Sequence, residues 1–493
     1  MKTTLPTEPE TLLVFKKKTA YAVLVLCAMT ATSLPAQTFT TLFSFNGSEE
    51  AYPKAGLVQG TDGNFYGVAS DSLQVGTSGA IFKITTAGAL TTLYSFSEAT
   101  GVFPSAGLVE AKGDFYGTTQ QGGAAFGGTV FKITSSGILT TLYSFSNGGV
   151  DGSYPYAGLT LANGNFYGTT ESGGINNGSG GFGTVFKITS TGTLTTLYSF
   201  CAQTGCADGA NPYAGLVQIA GGNFFGTTAS GGAHGQGTVY EITPSGALTT
   251  LYSFCAQTGC AEGANPYAGL VQATNGMLYG TTQYGGAKNG GTVFEITPGG
   301  VLTTLYSFCA QSGCTDGANP YAGLVLASNG DLYGTTQYGG TDGWGTMFRI
   351  TPSGALKTLY SFCSQSDCAD GLFPYAGLLQ ATNGDFYGTT FGGGAYDLCG
   401  YGCGTIFRLS VGLAPFVKTL PTSGKVGADV TILGTELTGA TRVSFNGVAA
   451  TFTVNSTGTA ISTTVPAGVT TGTVQVVTPS GTLSSNVPFR VTE

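Results

Sequence analysis

A segment ending in LYSF or LFSF recurs seven times along this chain, with its leucine at Leu42, Leu93, Leu142, Leu197, Leu251, Leu305 and Leu359, at spacings of 49 to 55 residues. A second marker, an aromatic residue followed by glycine and usually Thr-Thr, also recurs seven times, at Tyr66, Tyr116, Tyr167, Phe225, Tyr279, Tyr333 and Tyr387. Such self-similarity outweighs local propensity, because a repeat unit buries its apolar faces only against its neighbours.

Each unit contains four short runs rich in β-branched and aromatic residues and bounded by Gly, Asn or Pro. One unit reads AGLVLAS, DLYGTT, GTMFRIT and ALKTLYSF. Asn329-Gly330 separates the first two runs and Pro352-Ser353-Gly354 the last two, both suited to tight antiparallel connections. With no helical period in the repeats, four strands per unit fit a propeller blade of the kelch size class. The chain enters the pattern at TFTTLFSF, Thr38 to Phe45, a fourth strand without its first three. It leaves at GTIFRLS, Gly404 to Ser410, a third strand without its fourth. The fragments complete one another, so the sequence predicts an all-β protein whose residues 37–412 form a seven-bladed β-propeller closed by the N-terminal strand. Closure of this kind removes the exposed edges that an open solenoid would have to cap.

Residues 1–36 have the pattern of an export signal: Lys16-Lys17-Lys18, the apolar run AYAVLVLCAMTA, then SLPA before Gln37. Its removal takes four lysines and two glutamates, moving the formal net charge from −8 to −10. An acidic chain with 9% charged residues has no electrostatic footprint for nucleic acid or an anionic membrane. Apart from Cys27, the cysteines fall into close pairs: Cys201 with Cys206, Cys255 with Cys260, Cys309 with Cys314, Cys363 with Cys368, and Cys399 with Cys403. In an exported chain such pairs read as disulfides; zinc is the competing reading, but each pair supplies only two of four ligands. A small ring of this size staples a loop, contributing about 2 kcal/mol.

After Pro415 the period stops, and residues 416–493 read as short alternating strands broken by Gly, Pro and Asn-Gly, the pattern of a small β-sandwich. The repeats, with LYSF, DGANPYAGL, NGDFYGTT and GGTVFKIT, resemble the GloVer repeat. The C-terminal segment, with PTSGKVGADVTILGTELTGATRVSFNGVAATF and VPAGVTTGTVQVVTPSG, resembles the IPT/TIG domain, an immunoglobulin-like fold. The resemblance implies a secreted or cell-surface bacterial protein with an appended sandwich. It transfers no catalytic residue.

The topology places the tight turns on one face and the long connections on the other, with the cysteine pairs, His234 and Trp344. Loops on a rigid scaffold are where binding usually resides. Five of these loops carry an acidic residue before glycine: Asp151, Asp208, Glu262, Asp316 and Asp370. A ring of carboxylates for a cation or polar ligand is one reading; a turn residue bonding its own backbone is the other. Tyr156, Tyr213, Tyr267, Tyr321 and Tyr375 precede the innermost strand, with Lys54 and Ser105 in the first two units. They are expected near the channel mouth, either stacking on sugar rings or peptide side chains or packing between blades. The third strand holds one charge per unit, Lys83, Lys132, Lys187, Glu241, Glu295, Arg349 and Arg408, expected to be solvated or snorkelling.

With one histidine and no nucleophile elbow, phosphate loop or metal-ligand cluster, the sequence indicates no catalytic residue, metal or cofactor. The expected function is a non-catalytic binding or scaffold module, a monomer with no membrane insertion once the signal is cleaved. Its partner is expected to be a polysaccharide or an extracellular protein, with Trp344 and the tyrosines as the contact residues. A carbohydrate-active enzyme on the same scaffold, a glycosidase or lyase, is the alternative.

Overall fold

Alternation within GTVFEIT-type runs sends their apolar residues to buried positions and leaves the charge half-exposed, which makes each run a strand with a packed face. The computed structural model describes residues 37–492 except 48–50, 71–77, 177–179, 220 and 397–398. The export signal expected over residues 1–36 lies outside the described residues, as does Cys27.

The protein is all-β. Within the repeats the described residues form seven four-stranded antiparallel sheets, six of them built from strands consecutive in sequence. Sheet six, for example, contains Val325–Leu326, Leu332–Thr336, Thr346–Ile350 and Leu356–Ser361. Sheet seven contains Leu379–Gln380, Phe386–Thr390 and Thr405–Ser410, and its edge strand is Thr38–Ser44 from the other end of the repeat region. The two ends pair antiparallel from Thr38 opposite Ser410 to Ser44 opposite Thr405. The register skips Leu42, just as sheet six skips the equivalent Leu359. The opening strand thus reproduces the bulge of the fourth strands it replaces.

Successive sheets meet through three recurring contacts. The phenylalanine closing LYSF lies edge-on to an aromatic ring in the third strand of the next sheet, Phe96 to Phe131 at 5.2 Å and Phe308 to Phe348 at 5.2 Å. The first threonine of the Gly-Thr-Thr marker donates to the alanine carbonyl leading into the next sheet, Thr281 to Ala322 at 3.1 Å. The glycine after that alanine faces its counterpart in the preceding sheet, so that a Cβ on Gly158 would lie 3.1 Å from the Gly107 oxygen. All three recur between sheets seven and one: Phe45 to Phe82 at 5.6 Å, Thr389 to the Ala55 carbonyl at 3.2 Å, and Gly56 against the Gly377 oxygen. A buried phenylalanine stabilises by roughly 2 kcal/mol, and the edge-on pairing adds about 1 kcal/mol.

The innermost strands are shorter than expected. AGLVLAS contributes only Val325–Leu326, because its alanine carbonyl is bonded to the preceding sheet and its glycine is packed against that sheet's backbone.

The third-strand charges are also not simply solvated. Lys83, Lys132 and Arg349 pair with hairpin-turn carboxylates of Asp62, Asp114 and Asp331 at 2.7, 2.5 and 2.6 Å. Where the charge is Glu241, the turn offers the Asn223 amide instead, at 2.7 Å.

The C-terminal region forms two four-stranded sheets. One contains Lys418–Leu420, Asp429–Leu433, Ala460–Thr464 and Phe452–Val454; the other contains Val448–Ala450, Arg442–Phe445, Val474–Thr478 and Gly481–Ser484. They share one core, with Ile432 and Ile461 from the first and Val443, Phe445 and Val476 from the second. This region sits against the tight-turn side of the repeats. Asn455 and Thr459 donate to the Thr61 carbonyl of sheet one, Thr435 bonds Thr382 of sheet seven, and Arg490 donates to the Gln218 carbonyl of sheet four. Val487 joins the core cluster of sheets five and six beside Met277 and Leu326.

Candidate functional site

On the long-loop side, the segments entering sheets three to seven each place a tyrosine two residues before the glycine that touches the preceding sheet. Tyr156, Tyr213, Tyr267, Tyr321 and Tyr375 are all half-buried and follow one another at centroid separations of 5.3, 5.0, 5.3 and 5.5 Å; Phe391 continues the arc at 5.3 Å from Tyr375. They line a cavity of about 530 Å³, with Lys54 and Ser105 in the equivalent places of the first two sheets. The structure therefore brings these five tyrosines together.

A second tier comes from the residue that follows the Gly-Thr-Thr marker: Gln120, Glu171, Gln283, Gln337 and Phe391. These lining residues were not anticipated from sequence. The signal was available: within an otherwise constant frame this position runs Ser70, Gln120, Glu171, Ala229, Gln283, Gln337, Phe391.

The polar groups of the cavity hold one another. Tyr213 donates to Glu171 at 2.5 Å, and the Gln337 amide donates to the Tyr375 oxygen at 2.5 Å. Burial pushes the Glu171 carboxyl above the usual carboxylate range, against the pull of the Tyr213 hydrogen bond. Burial also raises the tyrosine phenols, and Glu171 raises Tyr213 further, so the hydroxyls remain protonated donors. Lys54 lies over the Phe391 ring, 5.3 Å from its centroid. The surface is thus aromatic and rich in hydroxyl and carboxamide groups, with one carboxyl and one ammonium, and suits a polyhydroxylated ligand of low charge.

The other expected positions lie elsewhere. Asp208, Glu262, Asp316 and Asp370 are buried within their own loops. Asp316 accepts from the Tyr306 hydroxyl at 2.8 Å and from the Ala310 and Gln311 amides at 2.9 and 3.2 Å. Asp208 and Asp370 repeat that pattern, Glu262 accepts from the Ala256 and Gln257 amides, and Asp151 accepts from Tyr143. These carboxylates organise loops and do not line the cavity, which is the turn-residue reading of the pattern.

All five cysteine pairs form disulfides: Cys201 with Cys206, Cys255 with Cys260, Cys309 with Cys314, Cys363 with Cys368, and Cys399 with Cys403. The first four close the loops that the buried carboxylates hold, and Cys403 is buried in the core cluster shared by sheets seven and one. None of the ten lines the cavity; Cys206, Cys260, Cys368 and Cys403, like their partners, staple the scaffold. Trp344 is outside the cavity, at 5.1 Å from Phe373 and 6.4 Å from Tyr401, and His234 is exposed. No group of three or more His, Cys, Asp or Glu side chains capable of holding a metal occurs among the described residues.

The Gloeobacter/Verrucomicrobia repeat family matches residues 28–206, 175–325 and 310–489. The chain belongs to this repeat family. No curated protein matches it. Among solved structures, this Gloeobacter/Verrucomicrobia repeat chain is similar to the extracellular domain of a hybrid two-component system protein of B. thetaiotaomicron, at 10% identity and a TM-score of 0.51. That match covers 90% of this chain, which spans 46% of the other. The chain is also similar to a fungal alcohol oxidase of the AA5 family solved with copper, at 14% identity and a TM-score of 0.50, over 92% of this chain and 99% of the oxidase. At these identities the likeness is one of fold alone. No helix among the described residues is long and apolar enough to cross a membrane.

Proposed function

We propose that this protein is a secreted or cell-surface binding module that recognises a neutral polysaccharide in the tyrosine-lined cavity. In this reading residues 37–412 form a closed seven-bladed β-propeller, the contacts between sheets seven and one being of the kinds that recur at the other junctions. The C-terminal region is an IPT/TIG immunoglobulin-like sandwich covering the tight-turn face. Five disulfides support an oxidising, extracellular setting. The protein acts as a monomer, without a cofactor.

The observation that carries the reading is the arc of five tyrosines with carboxamides above it, which joins stacking faces to fixed hydrogen-bond groups. A glycan array probed with residues 37–493, beside the Tyr213→Ala and Tyr267→Ala variants, tests it. Retention of neutral glycans by the wild type and its loss in both folded variants is the expected result. Capture of an extracellular protein with no glycan retained would replace the polysaccharide by a protein partner.

Glu171 favours a second reading, a carbohydrate-active enzyme, because a carboxyl raised by burial suits a general acid. A glycosidase also needs a second carboxylate at pairing distance, and Glu171 is the sole acidic residue of the described lining. Turnover of a polysaccharide panel by the wild type, absent in Glu171→Gln, would establish that alternative.

A further inference from the structure

The cavity has a floor. The five tyrosines that line it lead into sheets three to seven, and Lys54 and Ser105 lead into sheets one and two, so its wall is drawn from every sheet of the repeats. On the tight-turn side, the C-terminal region bonds sheets one, seven and four and packs on sheets five and six, contacts on opposite sides of the ring. A ligand therefore enters and leaves by one mouth.

On one side the aromatic surface continues out of that mouth. From Tyr375 it runs to Phe373 at 6.4 Å, and Phe373 meets Trp344, Tyr338 and Tyr401 at 5.1, 5.5 and 6.5 Å. Tyr338 is 41% exposed and Tyr401 68%. Phe373 holds φ at +54°, as Tyr52, Phe103 and Tyr154 do at +57° in the same place of sheets one to three, where sheets four to six have Asn211, Asn265 and Asn319. An aromatic ring is thus an ordinary occupant of this backbone position, and what sets Phe373 apart is the partly exposed aromatic group gathered around it.

We infer that the site recognises the end of a glycan chain: the terminal sugar occupies the blind cavity, and the units behind it leave over Phe373, Trp344, Tyr338 and Tyr401. This rests on the polysaccharide reading. A protein that grips internal segments needs an open groove, whereas a blind cavity admits only a terminus.

The test uses residues 37–493 and calorimetric titration with the maltose, cellobiose and laminaribiose series up to the heptasaccharides, beside cyclodextrins and cyclic β-glucan, which have no ends. The expected result is binding of at least one linear series and none of its cyclic counterpart, with affinity rising about tenfold from disaccharide to tetrasaccharide and then levelling. Phe373→Asn, which relaxes the backbone, is expected to remove that rise while leaving disaccharide affinity in place. Equal binding of cyclic and linear glucans overturns the end-on inference and leaves the polysaccharide reading standing. A length dependence unchanged in Phe373→Asn overturns the proposed exit path. Absence of binding by every glucan, with the protein folded, overturns both.

Discussion

Tyr213, which leads into sheet four, donates its hydroxyl hydrogen to the Glu171 carboxyl of sheet three at 2.5 Å, so the polar tier of the cavity bridges neighbouring sheets. Tyr213→Phe removes the donor and is expected to cost about 1 kcal/mol in denaturant unfolding. The double variant Tyr213→Phe, Glu171→Leu should cost no more than the single, because the acceptor left unpaired by the first change is removed by the second.

Glu110 gives the protein a pH dependence of definite sign. It is 4% exposed, accepts the Gly113 amide at 3.0 Å, and burial pushes its carboxyl up to about 7. Between the ordinary glutamate pKa and that value the folded protein holds the extra proton, so stability falls as pH rises across the window and is fully present below it. The loss is on the order of 3 kcal/mol. Sheets one, four, five and seven have Gln59, Gln218, Gln272 and Gln380 at this position. Glu110→Gln should raise the midpoint of thermal unfolding at about pH 8 and leave it nearly unchanged at about pH 5.

The glycines facing one another across sheet junctions should differ in tolerance. An alanine Cβ at Gly56 would stand 2.8 Å from the Gly377 backbone oxygen, but one at Gly377 would stand 3.8 Å from Gly323. Gly56→Ala is expected to cost about 2 kcal/mol through overpacking, and Gly377→Ala less than about 0.5 kcal/mol. Urea unfolding of the two variants checks the contrast.

Asp316 holds the loop containing Cys309 and Cys314 through three donors. Asp316→Ala strands those donors and should cost at least about 2 kcal/mol, read by calorimetry, with any remaining folded protein keeping its ligand affinity. Loss of binding without loss of stability would return this carboxylate to the site.

Much of the fold was legible because the repeat is long and its ends are complementary: TFTTLFSF carries the bulged leucine and the LYSF-type phenylalanine of a fourth strand, and pairs as one. The disulfides were legible from spacing, as was the tyrosine arc, because Tyr-Ala-Gly stands just before the innermost strand. The second tier was missed because it is not a motif: Gln120, Glu171 and Gln337 occupy the position that varies. The ion pairs were missed for a related reason. Alternation alone sends Arg349 outward, whereas comparison between units shows a carboxylate in the turn of every unit whose strand carries a cation except that of Lys187, and Asn223 where it carries Glu241. Nothing in the sequence separates a buried loop carboxylate such as Asp316 from an exposed one, because both stand before glycine in a long connection.

The architecture depends most on Thr38–Ser44 completing sheet seven. Hydrogen exchange followed by mass spectrometry on residues 37–493 measures this directly, with Leu356–Ser361, the equivalent strand of sheet six, as the internal reference. Closure of the ring predicts comparable protection of the two strands; exchange of Thr38–Ser44 at the rate of unstructured chain, with Leu356–Ser361 protected, would contradict it.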